Sequence, residues 1–539
     1  MQEASLVSVR PGPARLVVAF ATVGGWTMAS RVLGFARDVA IAAVLGAGAV
    51  AEAFFVAFTL PNLFRRFFAE GAFNTAFVPM FAKRVEGGGL AEARGFAEEA
   101  MACLASILFV LTIAAQLAMP WLVWGLASGL DAERNALAVA MGRIVFPYVL
   151  LISLAALLSG CLNALDRFWA AAAAPVLLNV VLIPTVLLAQ TGIAADWLGL
   201  PDAVGDLDGD AHVGAMLSWG VLLAGILQAA FVWRALSKAG LLLRLRLPHF
   251  TPEMRRLAII AAPAALAGGV AQVNLVIGRQ VASYFEGAVG WLWYADRVYQ
   301  LPLGVIGVAI GVVLLPALAR HVRRGDRAAS EAALNRAAEF ALTLTLPATA
   351  ALLVMPGLVV AVLFERGAFG PADAAATETA LSIYALGLPA FVLQKVLQPA
   401  FFAREDTRAP LRFAAWSMLA NLVVAVAGAP VIGWLAAPLG ATLAAWLNFV
   451  LLWRGARQAD PDLTVDARLA HRLPRILAAT VAMALCVAGA ASLGAGLPAF
   501  ERALVLGATV ALGLGAYGVA GLALRAFTLA DFKGALRRG

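Results

Sequence analysis

A chain of 539 residues that is 62% hydrophobic and only 13% charged, with a mean hydropathy of +0.88, excludes an ordinary soluble protein, in which about a quarter of residues are charged. Its apolar stretches run for about 20 residues or more, the length of a membrane helix and not of a barrel strand. The net charge of +8 comes mostly from short loops between apolar runs, so it reports topology and gives no argument for nucleic acid.

The hydrophobic pattern predicts an all-α polytopic membrane protein with fourteen spans. Their limits are near 16–45, 50–83, 97–126, 136–164, 170–191, 213–236, 256–284, 288–319, 331–364, 375–403, 410–430, 437–455, 474–495 and 501–525. The first span is long, carries charges and leads straight into the second, so it reads as a membrane helix and not a cleaved signal. Loops alternate in charge. One set carries Lys83, Arg84 and Arg94, then Arg244, Arg246, Arg255 and Arg256, then Arg320, Arg323 and Arg324, then Arg454 and Arg457. The opposite set is nearly free of Lys and Arg, and its longest member holds five aspartates. The positive-inside rule puts the basic set and both termini in the cytoplasm. Within the acidic loop, "DLDGD" lacks the glycine position and the twelfth-position Glu of a calcium loop, and reads as solvated chain. Cys103, Cys161 and Cys486 are scattered, as are the four histidines, so no disulfide, metal or cofactor is assigned.

An internal repeat is visible. "VPMFAKR" (78–84) matches "LPALARH" (315–321), "MPWLVWGL" (119–126) matches "MPGLVVAV" (355–362), and Asn179 matches Asn421. The separations lie near 236–242 residues and span six helices, an even number, so the repeats are parallel. The predicted organisation is an N-lobe over 1–245, a C-lobe over 246–460 and a C-terminal helix pair over 461–539. Transporters are commonly built from such repeats.

Several spans carry charges that a bilayer disfavours by at least ~2.5–3.5 kcal/mol each. In the first, Ser30, Gly34 and Arg37 share one helical face and Arg31, Gly34 and Asp38 an adjacent one. The second carries Glu52, Asn62, Arg65, Arg66 and Glu70, with Asn62, Arg66 and Glu70 at i, i+4, i+8. The seventh contributes Arg279, and the eighth Asp296 and Arg297. Pairs such as Arg37 with Glu52, or Arg66 with Glu70, are one reading of these residues. Arginines nevertheless outnumber acids, and that excess calls for an anionic substrate. Arginine stays charged when desolvated and binds phosphate or carboxylate bidentately. Lipid beside these helices suits a substrate with an apolar tail, so a lipid-linked phosphate fits the residues.

The stretches "SRVLGFARD" and "AFFVAFTLPNLFRRFFAEGAFNTAFVP" resemble the signature of the MurJ (MviN) family in the MOP exporter superfamily, and "YADRVYQLPLGVIGVAIG" resembles that family's second signature. The resemblance extends over the whole chain. It implies a flippase that moves lipid II, an undecaprenyl-diphosphate carrying a disaccharide-peptide, to the outer leaflet of the bacterial inner membrane for peptidoglycan synthesis. It implies alternating access, with Arg31, Arg37, Asp38, Arg65 and Arg297 as substrate-binding residues. Ser30, Glu52, Asn62, Arg66, Glu70 and Asp296 would give polar support. It also implies that the last two helices help to form a groove for the lipid tail. Partners would be lipid II, membrane lipids and proteins of cell-wall synthesis, with no nucleic acid. One departure is Gln300, where many relatives carry Glu; it removes a titrating neighbour of Arg297. No P-loop is present for ATP hydrolysis. Two rival readings are a flippase for another polyprenyl-diphosphate-linked glycan and a membrane enzyme acting on polyprenyl phosphates. The enzyme would need acids for metal or general-base work, and the candidate acids here each lie beside arginine, so no enzymatic activity is expected.

Overall fold

The computed structural model describes residues 13–65, 72–190, 211–461, 463–494 and 496–528. Among these every regular element is helical. The chain runs through α1 (Pro13–Leu45), α2 (Ala49–Arg65), α3 (Ala72–Leu126), α4 (Ala132–Val145), α5 (Tyr148–Ala164), α6 (Phe168–Ala189), α7 (Ala211–Lys238) and α8 (Pro252–Ala282). It continues with α9 (Ala288–Arg323), α10 (Arg327–Val354), α11 (Pro356–Leu363), α12 (Pro371–Phe402), α13 (Arg408–Ile432), α14 (Ala436–Ala459), α15 (Ala467–Ala491) and α16 (Ala499–Ala523). Nine helical stretches among the described residues are long and apolar enough to cross a membrane. They do not include α1, α2, α8 or α9, the helices that carry the candidate site residues.

Helix ends follow local chemistry. Asp131, Asp326 and Asp466 accept the amides of Arg134, Ala329 and Leu469 at 2.8, 3.0 and 2.7 Å; such caps each contribute about 1 kcal/mol. Pro356 starts α11 and stops α10 at Met355, which divides the single span expected over 331–364. The basic connection expected between 83 and 97 is short: two helical segments meet at a kink within it. Gly89, at φ 73°, is the one break inside α3, a conformation that glycine adopts without a Cβ penalty.

The chain divides into two compact units. The first comprises Met1–Leu45, Val50–Gly125 and Asp131–Gln272; the second comprises Gly46–Ala49, Leu126–Leu130 and Val273–Gly539. In the first, α1 packs on α6, and α7 on α5 and α6. Its core gathers Phe54, Phe55, Phe77, Phe81, Phe146 and Tyr148, all fully buried. The extended stretch after α7 is fastened to α3 by a buried carboxylate. Glu98 Oε1 accepts Arg94 Nε at 2.8 Å and the Arg244 amide at 2.9 Å, and Arg246 Nε lies 2.7 Å from Oε2.

In the second unit, α9 packs on α12, and α13 on α14. The last pair, α15 and α16, packs on itself, with α15 also against α10 and α16 against α11. On α16 only Thr509, Gly513 and Gly521 are buried, so small residues let the two helices approach, while the apolar remainder faces outward as lipid-solvated helices do. Glu339 of α10 gathers Arg336, Arg468 at 3.1 Å and Arg472, and thereby holds the start of α15.

Candidate functional site

Two groups of polar side chains stand out, one in each unit. In the first, the polar face of α1 lies against α6. Arg37 is 6% exposed and Asp38 1%. The guanidinium donates to Asp38 Oδ1 from Nη2 at 2.8 Å and from Nε at 3.1 Å, and to Asn179 Oδ1 from Nη1 at 3.1 Å. Asn179 Nδ2 donates in turn to the Ser30 carbonyl at 3.0 Å. Gly34 faces the Asn179 amide, which a Cβ there would meet at an ordinary 3.6 Å. The Arg37 guanidinium also lies 5.7 Å from the centre of the Phe58 ring on α2. Gly34, Arg37 and the Ser30 carbonyl thus all face Asn179. Arg31 is exposed and Arg65, at the end of α2, half-buried. Asn62 Nδ2 returns to the Phe58 carbonyl at 2.8 Å, one turn back. Arg66 and Glu70 lie outside the described residues.

Glu52 is fully buried, and its Oε2 accepts Arg134 Nη1 at 2.6 Å. Arg134 also donates from Nε to Asp131 at 2.7 Å. Asp131 stands outside the helices. Partial burial opposes its charge, but the Arg134 amide and guanidinium outweigh that and hold its carboxyl below the ordinary range. The sequence singles out Glu52 but not Arg134, whose setting in "DAERNAL" is that of any helix start. Asn179 is legible only as a repeat match, not as the partner of Arg37.

In the second unit, Arg297 on α9 lies 4.4 Å from the centre of the Trp293 ring one turn earlier. Arg279, on α8, lies 4.9 Å from the same ring. Asp296 accepts the side-chain amide of Gln300, so the residue that departs from the expected Glu serves as a neutral donor to that carboxylate. Tyr299 stacks on Tyr384 with centroids 5.1 Å apart. Asn421 of α13 donates to Asn274 of α8 at 3.1 Å. Trp293 carries no signal in the sequence beyond its i, i+4 spacing from Arg297. Among the described residues no group of three or more His, Cys, Asp or Glu could hold a metal ion.

Nine long apolar helices among the described residues, in an all-helical fold, define a polytopic helical membrane protein. The family model described as "Lipid II flippase MurJ" matches residues 41–507. A protein of Rhizobium meliloti named "Probable lipid II flippase MurJ" is 45% identical over 537 residues, covering 97% of each chain. The chain belongs to the MurJ lipid II flippase family. A solved structure titled "Lipid II flippase MurJ, inward closed conformation" superposes with a TM-score of 0.76 at 22% identity, covering 93% of this chain and 98% of that one. An inward-facing MATE multidrug transporter of the MOP superfamily gives 0.66 at 14% identity, covering 80% and 95%. The fold is thus that of MurJ and MATE transporters.

Proposed function

We propose that this protein flips lipid II from the inner to the outer leaflet of the bacterial cytoplasmic membrane by alternating access. It does so without chemical catalysis, and with both termini cytoplasmic. In this reading two six-helix lobes, 1–245 and 246–460, and the helix pair 461–539 form the carrier. Arg31, Arg37, Arg65 and Arg297 receive the diphosphate. Asp38 contributes by fixing Arg37; Ser30, Glu52, Asn62, Arg66, Glu70 and Asp296 support the arginines. The observation that carries the reading is family membership over nearly the whole chain, combined with arginines set among polar and aromatic partners on helices of both units. Arginine suits the task because a guanidinium keeps its charge beside lipid and matches phosphate geometry with paired N–H donors. Cell-wall synthesis proteins would consume the product outside.

The test is lipid II translocation in bacteria depleted of their own flippase. Externally accessible lipid II is measured after supplying this chain or Arg31→Ala. Arg31 is preferable to Arg37 because it is exposed, whereas removing Arg37 also takes a charge-assisted bond from a nearly inaccessible aspartate. Wild type restores accessible lipid II. Loss of a charge-assisted contact of about 1.5–3 kcal/mol slows the variant by roughly tenfold or more at equal abundance. Wild type that inserts but restores nothing would overturn the substrate, in favour of another polyprenyl-diphosphate-linked glycan. A variant as active as wild type removes Arg31 from the binding set.

A further inference from the structure

We propose that Arg279 is a second diphosphate-binding arginine of the C-terminal unit, acting beside Arg297; this rests on the lipid II reading above. Three observations carry it. First, Arg279 stands 242 residues after Arg37, the same separation as between Asn179 and Asn421. Second, the local construction repeats. Arg37 belongs to the first helix of its unit and lies over an aromatic ring of the next helix, Phe58. Arg279 belongs to α8 and lies over an aromatic ring of the next helix, Trp293. In each unit the matching asparagine bonds the arginine-bearing helix: Asn179 reaches Arg37 and the Ser30 carbonyl of α1, and Asn421 reaches Asn274 of α8.

Third, Arg279 and Arg297 share one indole ring, at 4.9 and 4.4 Å, with Asp296 as the adjacent acid. Those three side chains sum to one positive charge. Two like charges held against one ring favour a further anion that both can contact. Ring stacking uses the flat face of a guanidinium, whereas phosphate is bound along its edge, so the two interactions are compatible. Both side chains are partly accessible. One arginine suffices for a single phosphate. Two, from two helices, match the two phosphates of a diphosphate and set a preference for it over a monophosphate.

The test uses the full chain in lipid nanodiscs, titrated separately with undecaprenyl diphosphate and undecaprenyl monophosphate, with bound lipid counted by native mass spectrometry. The ratio of the two affinities is read within each variant, so it does not depend on the folded fraction. We expect wild type to prefer the diphosphate, Arg279→Gln to lose about tenfold of that preference, and Arg279→Lys to keep part of it, since charge remains but the planar fork does not. Arg297→Gln should also lose preference. If Arg279→Gln keeps the wild-type ratio while Arg297→Gln loses it, Arg279 is structural and this inference is overturned, but the lipid II reading stands. If both variants keep the wild-type ratio, the arginine account of that reading falls with it.

Discussion

The pair between Glu52 and Arg134 permits a worked prediction. The carboxylate is fully buried, the Arg134 side chain is 9% exposed, and the contact is 2.6 Å. With charge centres about 4 Å apart, an effective dielectric near 20 gives roughly 4 kcal/mol of attraction. Removing one partner of a buried pair costs about 3–5 kcal/mol, because the other charge stays behind. The two deletions are unequal. Glu52→Ala leaves Arg134 beside Asp131, whose side chain is 57% exposed, so the guanidinium keeps a partly hydrated counter-ion. That variant should cost about 2 kcal/mol, below the usual range for a broken pair. Arg134→Ala removes the guanidinium that lies 2.6 Å from a fully buried carboxylate, and should cost about 4 kcal/mol. The double variant removes both charges and should cost only about 2–3 kcal/mol, so the coupling is about 3 kcal/mol. The assay is thermal unfolding of the purified chain in detergent. A thiol-reactive dye reports at Cys161, which is fully buried, in a Cys103→Ser/Cys486→Ser background. At roughly 2–4 °C per kcal/mol for a unit of this size, Arg134→Ala lowers Tm by about 10 °C and the double variant by less. A double variant that falls by the sum of the singles would refute the reasoning, and Glu52 would then be free to serve as a support for substrate.

Two further outcomes follow from close contacts. Gly34→Ala should unfold within about 1 kcal/mol of wild type in the same dye assay, since its methyl meets Asn179 at 3.6 Å. Gly34→Leu should cost about 1–3 kcal/mol by overpacking, and equal stability of the two variants would show that α1 and α6 are not pressed together there. Glu98→Gln should loosen the stretch after α7, seen as faster hydrogen exchange at the Arg244 amide, which donates to Glu98 Oε1 at 2.9 Å. Unchanged exchange would mean that packing of Leu241 and Leu243 fixes that stretch instead.

What the sequence made legible was whatever depends on period and composition. The helices, the polar face of α1 and the glycine in that face all follow from spacing along one element. Arg37 bonding Asp38 was less legible. Neighbours in sequence point about 100° apart on a helix, and only the long, flexible arginine stem lets its guanidinium turn back onto the next residue. Partners on distant elements left no trace at all. Arg134 lies 82 residues from Glu52, and nothing in its surroundings marks it as buried. Glu98 carries no mark in the sequence either, yet it is fully buried beneath Arg94 and the stretch after α7. The expected break between the second and third spans is present as a kink at Gly89, whose left-handed φ separates two helical segments.

Glu98 and Glu339 show how an internal repeat keeps a position and changes its use. They are 241 residues apart, inside the range of the other matched positions. Each is an acid with little or no exposure, on α3 and α10 respectively, and each takes arginines from its own helix and from chain that lies beyond a later helix. In the first unit the chain captured is the extended stretch that leads into α8. In the second it is α15, the first helix of the C-terminal pair. A buried carboxylate is costly unless cations satisfy it, so the position persists only with suitable arginines downstream. Those arginines sit in different kinds of segment in the two units, so each acid fastens whatever its own half of the chain must attach. In the second unit this gives the last helix pair a defined anchor on α10 rather than a loose tether.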